Sequence, residues 1–357
     1  MTAKELDYII MPIDFCEPND VLGQDVLTSG GKLVLSKGTI LTKEFIEKLK
    51  AMDIFTIKIE LNQDAEHHDD DVYVNDSHKE TVEKAYAAME VIMKSIGERK
   101  AAPIKKYEKE LVDLLEVTVA TGEVLDILRQ VQVFDDYIYK HSLATGIYAS
   151  MLGMWMGYKG KDLQNIGLAG LLHDIGMTKI SHDIINKPGA LTEAEMNAVK
   201  KHVKYGRDIV ELAGFQDQGL LSAIYQHHER SNGSGYPIGL RAADIHPYAN
   251  IVAVADCYHA MTTDRPYKKK KTHIQALSEL WQEAFVSLDP RAVLVFIKGM
   301  MGRYRGRLLR MTDGQAGKLV FVHNDDPTNP IIRLGKGDDA KYIDMRYEKG
   351  IQIEEIL

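Results

Sequence analysis

The sequence has few cysteines and no pattern that would pair them. Its 357 residues include two, Cys16 and Cys257, which lie far apart and form no CxxC pair. This spacing excludes a disulfide framework and a zinc site built from paired thiolates. Such cysteine usage fits a reducing compartment, and we expect the protein to be cytoplasmic.

The sequence also lacks a membrane span, a basic N-terminus and an excess of positive charge. No apolar run approaches the roughly 18 residues of a membrane helix. The first residues, MTAKELDYII, carry acids where a signal peptide needs bases. The formal net charge of -8 disfavours broad nucleic-acid binding, which requires clustered Lys and Arg. Any recognition of phosphate must therefore be local.

Apolar periodicity predicts a mainly α fold made of four segments. Short β-like runs around one helical stretch indicate a small α+β module at residues 1–61, followed by a polar linker and connecting helices at 62–119. Apolar residues spaced three and four apart predict a helical domain at 120–298. Short strands separated by Asp-Gly and Gly-Lys-Gly turns then predict a small β-rich module at 299–357.

Five histidines of the predicted helical domain fall at helix ends or on apolar helix faces: His141, His173, His202, His227 and His228. One buried histidine is more often a hydrogen-bonded core residue than a ligand. Five together would leave many unsatisfied polar groups unless something joined them. Nitrogen and oxygen donors without thiolate suit iron, manganese or another first-row divalent ion.

Two aspartates accompany these histidines. Asp174 follows His173 at the end of an apolar stretch that Gly176 terminates. A carboxylate has two oxygens and can bridge two cations, which makes Asp174 the candidate bridge. Asp256 follows a largely apolar run, where a carboxylate needs a strong partner to offset its desolvation, and a metal ion is that partner in our interpretation.

These residues resemble the HD-GYP phosphodiesterases, members of the HD superfamily that degrade the bacterial second messenger cyclic di-GMP. The resemblance covers about residues 130–290. His173-Asp174 stands as the HD pair, and the HHE…GxGYP signature is carried by His227, His228, Glu229, Gly233, Gly235, Tyr236 and Pro237. Several motifs in the family's order make the resemblance specific.

The resemblance implies two divalent metal ions, iron first and manganese second, with catalytic roles for Asp174 and His173. One ion would be held by His141, His173, Asp174 and Asp256, and the other by Asp174, His202, His227 and His228. Some family members add a third metal through a Glu four residues before the first histidine. Tyr137 stands at that position here, so two metals are expected.

The resemblance also implies substrate contacts. The segment DRPYK matches a family segment whose Arg and Lys contact phosphate, which implies that role for Arg265 and Lys268; a basic surface loop is the alternative. Met177 departs from the family's usual HDIGK, and Lys179 is the candidate replacement cation. Tyr236 is a further candidate contact, with a packed turn tyrosine as its alternative.

The implied activity is hydrolysis of cyclic di-GMP to pGpG or GMP, and a mixed GMP–AMP ring is an alternative substrate. A different class of function is a receptor that binds metal and nucleotide but hydrolyses the nucleotide slowly. Met177, in place of the family's usual Lys, supports this alternative. The HHE…GYP signature disfavours hydrolysis of ordinary nucleotides.

Two further expectations are a protein partner at Gly235-Tyr236-Pro237 and a homodimer, since the amphipathic segment Glu80–Lys94 is typical of helices that dimerise.

Overall fold

The computed structural model describes residues 8–13, 16, 20–28, 31–52, 54, 56–60, 78–134, 136–263, 270–335 and 341–356. It divides into two compact units, one made of Met1–Val72 with Met300–Leu357 and the other of Tyr73–Gly299. The predicted mainly α fold with small terminal sheets is confirmed. Within the described ranges, no helix is both long and apolar enough to cross a membrane.

The first unit combines both chain termini. Its N-terminal elements are β1 (Tyr8–Pro12), β2 (Val26–Leu27), β3 (Leu33–Leu35), α1 (Lys43–Ala51) and β4 (Thr56–Glu60). The C-terminal elements are β5 (Leu308–Met311), β6 (Ala316–Phe321), β7 (Ile331–Leu334), β8 (Lys341–Asp344) and β9 (Ile353–Ile356). Strand β1 pairs with β4, β2 pairs with β3, and the C-terminal strands form an antiparallel sheet in the order β8-β7-β6-β5-β9.

The two terminal segments share one hydrophobic core. Leu22, Leu41 and Leu49 from the N-terminal segment belong to the same buried cluster as Phe321 and Ile331 from the C-terminal sheet. A two-stranded sheet such as β1–β4 or β2–β3 is marginally stable by itself in water, and the common core provides the additional burial. The division of the chain into four segments stays a prediction, and residues 62–77 of its proposed linker lie outside the described residues.

The second unit is helical. Its helices are α2 (Lys79–Gly97), α3 (Glu108–Thr121), α4 (Val124–Gln132), α5 (Tyr137–Trp155), α6 (Gly160–Leu172), α7 (His182–Ile185), α8 (Glu193–Val199), α9 (His202–Leu212), α10 (Gln218–Gln226), α11 (Pro247–Thr262), α12 (His273–Glu283) and α13 (Pro290–Arg303) up to Gly299. Helix α5 lies at the centre, because its residues 141–153 are all buried.

Helices α5 and α6 approach each other closely through glycines. A Cβ on Gly170 would lie 2.9 Å from the Cα of Gly146 and 2.9 Å from the carbonyl oxygen of Thr145. Both neighbours are backbone atoms, so a larger side chain could not be accommodated by a rotamer change. This close crossing places the C-terminus of α6, which carries His173 as its C-cap, near the first turns of α5.

The segment around His202 differs from our expectation. The sequence predicts a helical segment that contains His202, with Thr192 as its N-cap and Glu195 as the capping-box partner, and this capping box is confirmed at the start of α8. However, His202 does not lie inside that helix, because α8 ends at Val199 and His202 is the first residue of α9. Across this break, the carbonyl oxygen of Val199 accepts a hydrogen bond from Nδ1 of His202 at 2.8 Å.

A 3-10 helix, Ile175–Lys179, continues from Asp174 and packs against α9. A Cβ on Gly176 would overlap the backbone of His202 and Gly206. Glycine at this position therefore lets the backbone that follows Asp174 touch the backbone that presents His202.

We expect Gly176→Ala to separate these two backbones and to destabilise the protein. Overpacking of this kind costs about 1–3 kcal/mol of unfolding free energy, which should lower Tm by several degrees. Thermal unfolding followed by circular dichroism measures the effect. Gly97→Ala is the matched control, since a Cβ there meets no atom within 4 Å. Equal melting temperatures for the two variants would contradict the proposed close contact.

Candidate metal centre

The seven side chains that the sequence predicts as metal ligands come together in the helical unit. Four lie at or directly after helix C-termini: His173 caps α6 and is followed by Asp174, and His227 caps α10 and is followed by His228. His202 opens α9, while His141 and Asp256 lie within α5 and α11. At a helix end, backbone groups and side chains are not constrained by the regular helical pattern. Side chains from several helices can therefore converge on one point.

The donor atoms form two groups. His141, His173 and Asp256 offer atoms that lie within 4.8 Å of one another, and so do Asp174, His202, His227 and His228. The first group is buried throughout, and the second is buried at His202 and His227. Both groups contain more than one imidazole and a carboxylate, a donor set that suits first-row divalent ions.

Asp174 faces both groups with different oxygens. Its Oδ1 lies 3.2 Å from Nε2 of His202, and its Oδ2 lies 3.4 Å from Nε2 of His173. Oδ2 is also 3.8 Å from Nε2 of His141. The side chain remains 23% exposed, so this carboxylate lies where a substrate can reach it.

Three of the histidines are held in one tautomer by backbone carbonyls. Nδ1 of His173, His202 and His227 lies 2.8–2.9 Å from the carbonyl oxygen of the residue three positions earlier. A carbonyl oxygen only accepts, so Nδ1 carries the proton and Nε2 keeps its lone pair. The rings are therefore oriented as metal ligands, with Nε2 directed into the centre.

The nitrogen separations also fit a shared cation. Nε2 of His141 lies 3.3 Å from Nε2 of His173, and Nε2 of His202 lies 3.4 Å from Nε2 of His227. Two ligands about 2.1 Å from one ion, with bond angles of roughly 90–109°, stand about 3.0–3.4 Å apart. When both rings of such a pair are neutral with their protons on Nδ1, the two Nε2 lone pairs repel each other, and a cation between them removes that repulsion.

Burial and charge set the protonation of the centre. Burial lowers the pKa of His228 to about 4, and burial with the neighbouring imidazoles lowers the pKa of His227 well below its ordinary value. Burial alone would raise the pKa of Asp256, but the hydrogen bond and charge of His141 outweigh it and lower the pKa. These groups are thus neutral imidazoles and an ionised carboxylate near neutral pH, the forms that bind metal.

His173 behaves differently when no cation is bound. Burial would lower its pKa, but the adjacent carboxylate of Asp174 outweighs burial and raises the pKa to about 9. The carboxylates of the centre therefore attract positive charge strongly enough to hold a proton on a buried imidazole. A divalent ion satisfies the same requirement and competes with that proton.

Tyr236 stacks against the centre. Its ring lies 4.6 Å from the ring of His228 with an interplanar angle of 28°, and the ammonium group of Lys200 lies 5.3 Å from its centroid. Burial raises the pKa of Tyr236, and the charges of Asp174 and Asp256 raise it further. The phenol consequently stays protonated and can donate a hydrogen bond beside the centre.

Of the other predicted substrate contacts, some lie within the described residues and some outside them. The ammonium group of Lys179 donates to the carbonyl of Ile96 at 3.3 Å, and its substrate role stays a prediction. Arg265 and Lys268 lie outside the described residues. Met177 belongs to the 3-10 helix after Asp174, and its N–H donates to the carbonyl of Asp174 at 2.8 Å.

Glu229 has a structural role that our sequence interpretation missed. Its side chain is buried, and its carboxylate accepts N–H groups from Ile238, Gly239 and Leu240 at 2.7–3.1 Å. These bonds close residues 230–240, the 230–240 loop, which carries Tyr236. An acid directly before a Gly-rich turn is the sequence signal, because such a turn exposes N–H groups that need an acceptor.

Comparison with known proteins gives an independent view of the same residues. Residues 131–292 match the family model described as HD domain. The chain is 31% identical over 232 residues to cyclic di-GMP phosphodiesterase PA4108 of Pseudomonas aeruginosa, covering 64% of this chain and 55% of that protein. It is 35% identical over 201 residues to the cyclic di-GMP phosphodiesterase response regulator RpfG of Xanthomonas campestris pv. campestris, covering 54% and 51%.

One solved structure resembles the fold over most of the chain. Bd1817, described as an HDG"Y"P protein from Bdellovibrio bacteriovorus, aligns with a TM-score of 0.51 at 18% identity, covering 81% of this chain and 98% of that one. At this identity the likeness concerns the fold alone. The chain spans about half the length of the curated relatives it matches.

We expect Glu229→Gln to loosen the 230–240 loop while leaving the two groups of donor atoms intact. The amide nitrogen cannot accept the N–H groups that the carboxylate accepts, and an unsatisfied buried group costs about 1–3 kcal/mol. Limited trypsin digestion should cut faster after Arg230 and Arg241, with unchanged metal content. Glu83→Gln, an exposed change on α2, is the control. Native-like resistance of the Glu229 variant would contradict this role.

Proposed function

We propose that this chain, whose residues 131–292 match the HD domain model, is a metal-dependent phosphodiesterase of the HD-GYP type that hydrolyses cyclic di-GMP to pGpG, GMP or both. The two curated relatives compared above carry that activity in their names. The observation that carries the proposal is the carboxylate of Asp174, whose two oxygens face different groups of imidazoles.

The HD domain binds divalent metal, and we assign the ligands as the resemblance implies. His141, His173, Asp174 and Asp256 hold one ion, and Asp174, His202, His227 and His228 hold the other. The 3.4–3.8 Å from Oδ2 of Asp174 to His173 and His141 supports its membership of both sets. Iron is our first candidate and manganese the second, because the donors are nitrogen and oxygen only.

When bound, two such ions lower the pKa of a water and neutralise charge on the phosphoryl oxygens. The chain's own groups prepare this chemistry. The carbonyl partners of His173, His202 and His227 hold the rings in place before substrate arrives, so little reorganisation is needed during the reaction. Tyr236, protonated and adjacent to His228, donates a hydrogen bond to a substrate oxygen. One water is consumed for each P–O bond broken, and the departing 3′ oxygen leaves as a hydroxyl.

Met177 favours a second candidate function. It stands where the family usually has Lys, three residues after the proposed bridge Asp174 and within a 3-10 helix. Without that cation, a chain that keeps both metals and binds nucleotide would turn over slowly and act as a cyclic-dinucleotide receptor. A protein partner at Gly235-Tyr236-Pro237 and a homodimer belong to the same signalling role and are part of this proposal.

The decisive test compares the native protein with Asp174→Asn. We expect elemental analysis to find about two metal ions in the native chain and fewer in the variant, because the amide cannot bridge two cations as the carboxylate does. Formation of pGpG and GMP from cyclic di-GMP should fall by about 100-fold or more, since even the partners of metal ligands are worth 10–100-fold. Asp208→Asn, an exposed change on α9, is the control.

Other outcomes separate the candidates. Two bound metals with nucleotide binding and no turnover in the native protein would favour the receptor. Native protein without stoichiometric metal would refute both candidates, because each requires the binuclear centre.

A further inference from the structure

His259 lies directly behind the candidate metal centre. It is buried on α11, three residues after Asp256, at 1% exposure. Its Nδ1 stands 2.8 Å from Nδ1 of His141, and its Nε2 stands 2.9 Å from the hydroxyl oxygen of Thr263. His141 is thus connected to a second imidazole on the side facing away from the other ligands.

This arrangement differs from that of the other histidines whose partners were described above. His173, His202 and His227 each use a carbonyl near the C-terminus of a helix: Gly170 in α6, Val199 in α8 and Ile224 in α10. The last four carbonyls of a helix have no partner within it. Helix ends therefore provide these rings with acceptors at no cost to the helix.

His141 does not lie at a helix C-terminus. It is the fifth residue of α5, which continues unbroken from Tyr137 to Trp155. The carbonyls three and four residues before it accept N–H groups of the same helix. An imidazole at this position needs an acceptor from another element, and α11 provides one through His259.

The proton positions follow from the distances. Nε2 of His141 lies 3.1 Å from Oδ1 of Asp256 and 3.3 Å from Nε2 of His173, on the side of the donor groups. For Nε2 of His141 to offer its lone pair there, Nδ1 of the same ring must carry the proton. The Nδ1–H group then donates a hydrogen bond to Nδ1 of His259. His259 then carries its own proton on Nε2 and donates to the hydroxyl oxygen of Thr263.

We propose that His259 is the positioning residue of His141: it accepts the Nδ1 proton of that ring and so fixes the tautomer and orientation in which His141 binds metal. This rests on the assignment of His141 as a ligand in the proposed function. A partner of this kind is typically worth 10–100-fold in metal affinity. His259 itself touches neither metal nor substrate in this arrangement.

Two substitutions separate positioning from packing. Oδ1 of an asparagine can take the place of Nδ1 of histidine, so His259→Asn keeps an acceptor for His141. His259→Leu keeps an apolar side chain of similar length and removes the acceptor. We expect His259→Leu to lower the affinity for one of the two metal ions by about 10–100-fold and to reduce the bound metal from about two ions to about one. His259→Asn should keep near-native metal binding.

Metal titration of chelator-treated protein with Mn²⁺ measures these affinities without using activity. His182→Leu, an exposed change on α7, is the control. Melting temperatures of the metal-free proteins are compared in parallel. Equal metal loss in the Leu and Asn variants, or native binding in both, would overturn the proposal.

A measurement on the native chain keeps the test independent of folding. Nitrogen-15 chemical shifts of labelled histidine should report His141 with its proton on Nδ1, and a proton on Nε2 in the metal-loaded protein would refute the assignment. The proposed function can fail separately: native protein that binds two metals but does not hydrolyse cyclic di-GMP refutes the activity, while the Leu and Asn comparison still decides the role of His259.

Discussion

The arrangement of this molecule depends on how a helical unit gathers two carboxylates and five imidazoles, most of them buried, at one place. Burying an unpaired charge costs more free energy than a domain can spare. Here Asp174 and Asp256 pair with the imidazoles of His202, His173 and His141 at 3.1–3.4 Å. The pairing is incomplete in one respect, because unprotonated nitrogens also face each other. A cation neutralises the negative charge and removes this repulsion. The centre therefore suits a metal ion better than additional protons.

Helix termini explain how the centre is assembled. Helices α6 and α10 both end at candidate ligand residues, His173 and His227. A helix C-terminus carries a partial negative charge and unpaired carbonyls. The carbonyls orient the rings, and the two negative ends add to the attraction for a cation. The close backbone contact at Gly176 then brings α9, with His202, against the residue after Asp174.

Much of the candidate centre was predictable because its signals are local. The C-terminus of α6 before His173, the end of α10 at His227 and the capping box of α8 follow from side chains within a few residues of each feature. Other features depend on distant partners. The core shared by Leu22 and Phe321 joins residues about 300 positions apart, and His259 gains its role from a ring on α5. The break before His202 was missed because Lys200 and Lys201 carry no Pro or Gly signal.

Charge balance connects His259 with the proposed substrate. In the proposed centre, two divalent cations held by the carboxylates of Asp174 and Asp256 would retain an excess of about two positive charges, because the imidazole ligands would be neutral. A cyclic dinucleotide with two phosphodiesters carries two negative charges and matches that excess. A carboxylate in place of His259 would orient His141 equally well, yet it would reduce the excess to about one. A neutral imidazole partner orients the ligand and preserves the attraction for phosphate, in a protein whose net charge of -8 otherwise repels it.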